Sequence, residues 1–225
     1  MNKTIWIIAN WKSNKNISEA LEWISQVGPH ISKDDNLKVV VCPTFTDLSE
    51  VKKTITVGNF PIMVGSQNLS PFGTGAYTGE ESAPILNQLI NLAILGHSER
   101  RQNFGETDEM VAKKVEQALV NNITPLVCVQ SAETPVPQGC KLIAYEPVFA
   151  IGTGNPDTSE NANQVAESLK EKNGSGLEVL YGGSVTADNV SAFVSQPNIS
   201  GVLIGKASLD AEGFVKICQQ VSEKI

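Results

Sequence analysis

Histidine is nearly missing from this chain: it has only His30 and His97, neither with a partner at zinc-ligand spacing. Cysteine is scarce too. Cys42, Cys128, Cys140 and Cys218 are scattered, form no Cys-x-x-Cys pair, and read as reduced thiols rather than a disulfide frame or metal knot. No stretch approaches the ~20 consecutive apolar residues of a membrane span. The opening "MNKTIWIIANWKSNK" has too short an apolar run for a secretory signal and lacks a small-residue cleavage site. Positive charge is in deficit, with 17 Lys and Arg against 24 Asp and Glu and a net charge of −7. That balance disfavours nucleic acid as a partner, and an anionic ligand then needs locally gathered cations and backbone amides. These absences describe a soluble protein of a reducing, cytoplasmic setting, with no metal, no nucleic acid and no membrane partner.

What is present is alternation. Apolar, β-branched runs recur at "TIWIIA" (4–9), "KVVVC" (38–42), "IMVGS" (62–66), "LAILG" (92–96), "TPLVCV" (124–129), "KLIAYE" (141–146), "LEVLY" (177–181) and "GVLIG" (201–205). Near-continuous apolarity over such lengths suits strands buried on both faces, as in a parallel sheet. Amphipathic segments separate most of them. Ser18 is a candidate cap for "SEALEWISQV", whose Ala20, Leu21, Ile24 and Val27 share a face. Thr107 precedes a segment with Met110, Val111, Lys114, Val115, Ala118 and Leu119 at helical spacing, its first turn acidic at Asp108 and Glu109. Eight strands in this order predict an α/β fold, a closed (β/α)8 barrel, with residues 1–225 as one domain. An open doubly wound sheet is the alternative.

One connection is irregular. "QSAETPVPQGC" (130–140) joins the fifth and sixth strands, and Pro135 and Pro137 resist helix there. Fully extended, the segment still spans a strand's ~17–20 Å. The expectation is a helix missing between strands 5 and 6 or reduced to an extended link, with at most seven full outer helices.

In such a barrel the strand ends and following loops form the functional face. They carry Asn10-Trp11-Lys12, Gly96-His97-Ser98-Glu99-Arg100-Arg101, Glu146, Gly182-Gly183-Ser184 and Gly205-Lys206-Ala207-Ser208. Singly, each has an ordinary reading: a solvated lysine, a structural histidine, a turn. Together they suit acid–base chemistry on a small phosphorylated carbonyl compound, its phosphate cradled by the amides of the glycine-rich turns.

The blocks "ANWKSN" (9–14), "TGAYTGE" (74–80), "LGHSERR" (95–101), "AYEPVFAIGTG" (144–154) and "YGGSV" (181–185) resemble the signatures of the triosephosphate isomerase family, in its order. The resemblance implies a TIM barrel that interconverts dihydroxyacetone phosphate and D-glyceraldehyde 3-phosphate with no cofactor. It implies the family's known division of labour, with Glu146 as base and neutral His97 as electrophile. It also implies that Lys12 and Asn10 stabilise the enediolate and that Glu99 supports Lys12. Phosphate would meet the amides of Gly152, Ser184 and Gly205, with Lys206 beside them. Pro147 to Thr153 would be a lid held by Tyr181 and Ser184. Ile151 and Leu203 would form an apolar clamp that raises the pKa of Glu146. Thr78 would reach Asn10 or Lys12 of a second subunit in a homodimer.

Four positions depart from that pattern. Phe149 stands where tryptophan is usual, Lys206 replaces the second glycine of a Gly-Gly pair, Gln130-Ser131 replaces Gly-Glu, and the 130–140 link is short. If position 206 needs a positive φ, lysine there is strained by about 1 kcal/mol or more; if not, the amide survives and a charge is added. A different sugar-phosphate barrel enzyme and a non-enzymatic phosphate-binding barrel are the other readings of these residues.

Overall fold

The computed structural model describes residues 3–224. Eight parallel strands close into a barrel in sequence order: β1 (Ile5–Asn10), β2 (Leu37–Cys42), β3 (Ile62–Ser66), β4 (Leu92–Leu95), β5 (Thr124–Val129), β6 (Leu142–Tyr145), β7 (Glu178–Tyr181) and β8 (Ile199–Ile204). β1 pairs with both β2 and β8, so no edge is left open. The open-sheet alternative is excluded.

Strand apolarity feeds two cores because successive side chains point to opposite faces. Ile8, Val40, Ile94, Leu126, Cys128 and Leu180 fill the barrel interior. Ile7, Val39, Val41, Val127, Ile143 and Val179 face outward under the helices.

The outer ring comprises α1 (Ile17–Val27), α2 (Leu48–Gly58), α3 (Ala83–Leu86), α4 (Ser98–Phe104), α5 (Asp108–Val120), α6 (Ser159–Asn173), α7 (Val190–Val194) and α8 (Ala211–Ser222). α1 starts earlier than the Ser18 reading. Asn16 caps it by accepting from Glu19 N while the Glu19 carboxylate accepts from Asn16 N, which leaves Ser18 exposed with no capping role. The buried face of α1 uses Trp23 with Ala20, Ile24 and Val27, and Leu21 is only half-buried. In α5, Thr107 is the cap, and Val111, Lys114, Val115 and Ala118 are buried. Met110 and Leu119 are 38% and 41% exposed, because 3.6 residues per turn carries the flanks of a six-residue set toward the edge of the inner face.

Among the described residues no helix lies between β5 and β6. The link is instead a strap of two turns joined by a short stretch at 135–137, with Thr134 N donating to Ser131 O and Cys140 N to Pro137 O, so only its middle is extended as expected. Thr134 Oγ1 accepts from Gln130 N and Ser131 N, Val136 packs on the outer core, and Lys172 of α6 donates to Ala132 O at 3.0 Å. Val127, Val129 and Ile143, on the outer faces of β5 and β6, have no exposed surface. The strap, together with α5 packed on β5 and α6 packed on β6, closes the outer face where a further helix is missing. The amides of Val127 and Val129 are expected to exchange with solvent within about tenfold of those of Ile94 and Leu95 in β4. Much faster exchange in β5, read by mass spectrometry or NMR, would contradict this cover.

Candidate active site

The strand ends gather Asn10, Lys12, His97, Glu146, Ile151, Gly152, Ser184, Leu203, Gly205 and Lys206 around one cavity of about 760 Å³. Each is held there by local structure.

Lys12 follows β1 with φ of 54°, in the left-handed region that a side chain adopts at a cost of roughly 1–2 kcal/mol. Three contacts hold it. Its N–H donates to Asn10 Oδ1 at 3.0 Å, its carbonyl accepts from Gln67 Nε2 at 2.7 Å, and its ammonium is paired with the Glu99 carboxylate. Gln67 also donates to Cys42 O, tying the turn to β2. Sequence reasoning missed Gln67, since a lone glutamine after a strand carries no motif.

His97 ends the loop after β4 and caps α4. Its Nδ1 accepts from Glu99 N at 3.2 Å, so the neutral ring carries its proton on Nε2. That nitrogen donates to Glu146 Oε1 at 3.0 Å.

Glu146 immediately follows β6 and is 1% exposed. Its Oε2 accepts from Ser98 N at 3.0 Å. Gly182 gives it room, since a Cβ there would lie 3.0 Å from Glu146 Cγ and 3.3 Å from Tyr145 O. Ser98 and Gly182 were not legible as partners of Glu146, because both contacts cross between strands far apart in sequence.

The expected rise in the Glu146 pKa does not occur in this arrangement. Burial pushes the carboxyl up, but the facing His97, the Ser98 amide and the Cys128 thiol outweigh it and hold it below its ordinary value. Ile151, half-buried, and Leu203, buried, line the cavity as anticipated, but hydrogen bonds and charge win over desolvation. Burial lowers the His97 pKa, and Glu146 and Glu99 more than reverse this, raising it above its ordinary value. The signs fix a window. Glu146 contributes stability above its ordinary 4.5, lost as pH falls through its lower folded value; His97 contributes below its ordinary 6.5, lost as pH rises through its higher folded value. Replacing Glu146 with Gln is expected to lower the His97 pKa, read from the imidazole ¹⁵N shifts. An unchanged His97 titration would mean that Glu146 does not govern it.

The segment after Glu146 is a loop with a short 3-10 turn at Val148–Ala150 and positive φ at Gly152 and Gly154. Ser184 donates to Ala150 O at 2.5 Å and accepts from Gly154 N at 3.2 Å, while the Tyr181 hydroxyl accepts from Asp157 N at 2.7 Å. Phe149 is exposed on the loop. Asp157 was missed as a loop anchor, because its backbone N–H does the binding. Lys206 begins a right-handed 3-10 turn and is not among the residues with positive φ, so its position does not demand glycine. Thr78 lies on an exposed loop away from the cavity.

The family model described as "Triosephosphate isomerase" matches residues 5–140 and 137–221, the two pieces meeting at the short link. A protein named triosephosphate isomerase from Dehalococcoides mccartyi is 37% identical over 248 positions, covering 98% of this chain and 97% of the relative. Those named likewise from Caldanaerobacter subterraneus subsp. tengcongensis and Endomicrobium trichonymphae are each 39% identical, over 94% and 92% of this chain and 97% and 95% of theirs. Alignments longer than the 225 residues of this chain mean that these relatives carry residues it lacks.

Proposed function

The chain belongs to the triosephosphate isomerase family, and from that premise we propose that it interconverts dihydroxyacetone phosphate and D-glyceraldehyde 3-phosphate through an enediolate, as one cytoplasmic barrel domain. The observation that carries this reading is the convergence of a carboxylate, an Nε2-protonated imidazole and an ammonium on one cavity. Glu146 takes a proton from the carbon beside the carbonyl and returns it to the neighbouring carbon. His97 Nε2–H donates to the carbonyl oxygen and moves protons between the two oxygens. Lys12 and Asn10 stabilise the negative oxygen as it develops, and Glu99 orients Lys12. The amides of Gly152, Ser184 and Gly205 hold the phosphate.

To reach a carbon, Glu146 must leave Ser98 N and His97 Nε2. The nearer of the two carboxylates that raise the His97 pKa then moves off, leaving burial and Lys12 to oppose the Glu99 carboxylate alone. Substrate engagement thus favours the neutral imidazole that the reaction needs. The loop from Pro147 to Thr153 closes over the ligand, and the Ser184 and Tyr181 hydrogen bonds hold it. Excluding water matters because an exposed enediolate phosphate eliminates its phosphate. Turnover of D-glyceraldehyde 3-phosphate tests the reading; a folded protein that binds phosphate but turns over neither triose phosphate would move the binding-barrel reading ahead.

We also propose a homodimer. The loop around Thr78 is exposed, with Phe72 and Tyr77 stacked on it at 4.3 Å. An adjoining groove of about 320 Å³, which shares Asn10, Lys12 and His97 with the cavity and is lined further by Thr44, Phe45, Gln67, Glu99 and Phe104, would receive that loop from a second copy. Thr78→Arg is expected to weaken the dimer on the order of tenfold or more, since it adds bulk and a cation to a groove already holding Lys12 and Arg100. Sedimentation would read the mass, and an unchanged dimer would exclude this seat for the loop.

A further inference from the structure

The chemistry above uses only part of the cavity. Its volume of about 760 Å³ lies well inside the ~300–1,000 Å³ range of sites for drug-sized ligands, and a three-carbon monophosphate fills only a fraction of it. The same cavity is also lined by Asn14, Thr186, Ala207 and Leu209, none of which has a part in the proton transfers.

The cations divide unequally. The Lys12 ammonium is held by Glu99 and lies against Gly205, 3.7 Å from where a Cβ would stand on that residue. Lys206 is the next residue. It is exposed, lines the cavity, and makes no salt bridge among the described residues. Its right-handed backbone means that the lysine keeps the turn and its amide, so the side chain adds only charge and reach. In a chain of net charge −7, an uncommitted cation on a cavity wall is a local reversal of sign.

We infer that the cavity carries a second anion subsite centred on Lys206, which takes the far phosphate of a short bisphosphorylated ligand while the near phosphate occupies the cradle. This rests on the phosphate-cradle assignment made above and extends it to a class of competing ligands. The reach of the subsite is bounded. Glu19 and Glu22 line the adjoining groove, which shares Asn14 and Leu209 with the cavity, and they outnumber its one lining cation, Lys15, so an anion carried further out meets a net negative charge. A short linker between phosphates therefore fits and a long one does not.

The test is calorimetry at fixed ionic strength with 1,4-butanediol bisphosphate and butyl phosphate. The parent protein is expected to bind the bisphosphate about fivefold tighter, the scale of one partly exposed charge pair, beyond the statistical advantage of two equivalent ends. Lys206→Met and Lys206→Gly should remove that preference, and Lys206→Arg should keep it. Each variant's circular dichroism checks that it is folded. No preference in the parent, or an equal preference in Lys206→Met, overturns the subsite. Binding is read without turnover, so the two readings fail separately. Preference without isomerase activity leaves the subsite standing and removes the isomerase, whereas activity without preference removes the subsite alone.

Discussion

Glu146→Gln is expected to keep phosphate-ligand affinity and to lose about 10²–10⁴-fold in kcat, the scale of a positioned general base. The amide has nearly the shape of the carboxylate but cannot accept the carbon-bound proton. The surroundings sharpen the effect. Glu146 accepts at one oxygen from Ser98 N and at the other from His97 Nε2. Because His97 Nδ1 is committed to the Glu99 amide, the Nε2 proton must stay on the Glu146 side in the neutral ring. Glutamine has one acceptor oxygen for two donors, so one buried hydrogen bond is lost as well. That loss is expected to cost about 1–3 kcal/mol of stability. Chemical denaturation would measure it, and single-turnover kinetics would separate it from the loss of rate. Near-parental turnover would remove Glu146 from the role of base.

The second large effect is expected at Lys12. Lys12→Met should lower kcat/KM by about 10²–10³-fold, divided between KM and kcat, because in the proposed mechanism the ammonium serves both the ligand and the developing negative oxygen. Removing it also leaves Glu99 unpaired beside His97, 3.7 Å from Nδ1, which adds a negative charge where negative charge develops. Methionine keeps the left-handed φ of 54°, so its stability should change little through the backbone. Lys12→Gly provides a contrast. It should lose activity similarly while recovering up to the ~1–2 kcal/mol of backbone strain. Such a gain would show that the chain holds a strained residue at this place for the position of its side chain. Unchanged KM and kcat in Lys12→Met would leave Lys12 a mere surface charge.

The sequence alone determined eight buried strands alternating with helices, because strands buried on both faces must read as continuous apolar runs whatever surrounds them; only the pairing of β1 with β8 chose the closed barrel over the open sheet. It determined the polar residues at the strand ends, since chemistry there needs side chains of particular kinds. It also carried the missing helix, because Pro135 and Pro137 exclude one locally. Only the tertiary structure decided what the link does instead, since Val136 finds the outer core and Lys172 of α6 reaches Ala132 only once the helices are in place. Likewise only it decided that Asn16 rather than Ser18 caps α1, for a capping box depends on two reciprocal bonds. The pKa of Glu146 was misread from the apolar pair Ile151 and Leu203, because the polar groups that outweigh burial are brought to it by the fold: His97 and Ser98 after β4, and Cys128 in β5. Residue types travel with the sequence, but a pKa is a sum over neighbours in space, and those are fixed only when the barrel closes.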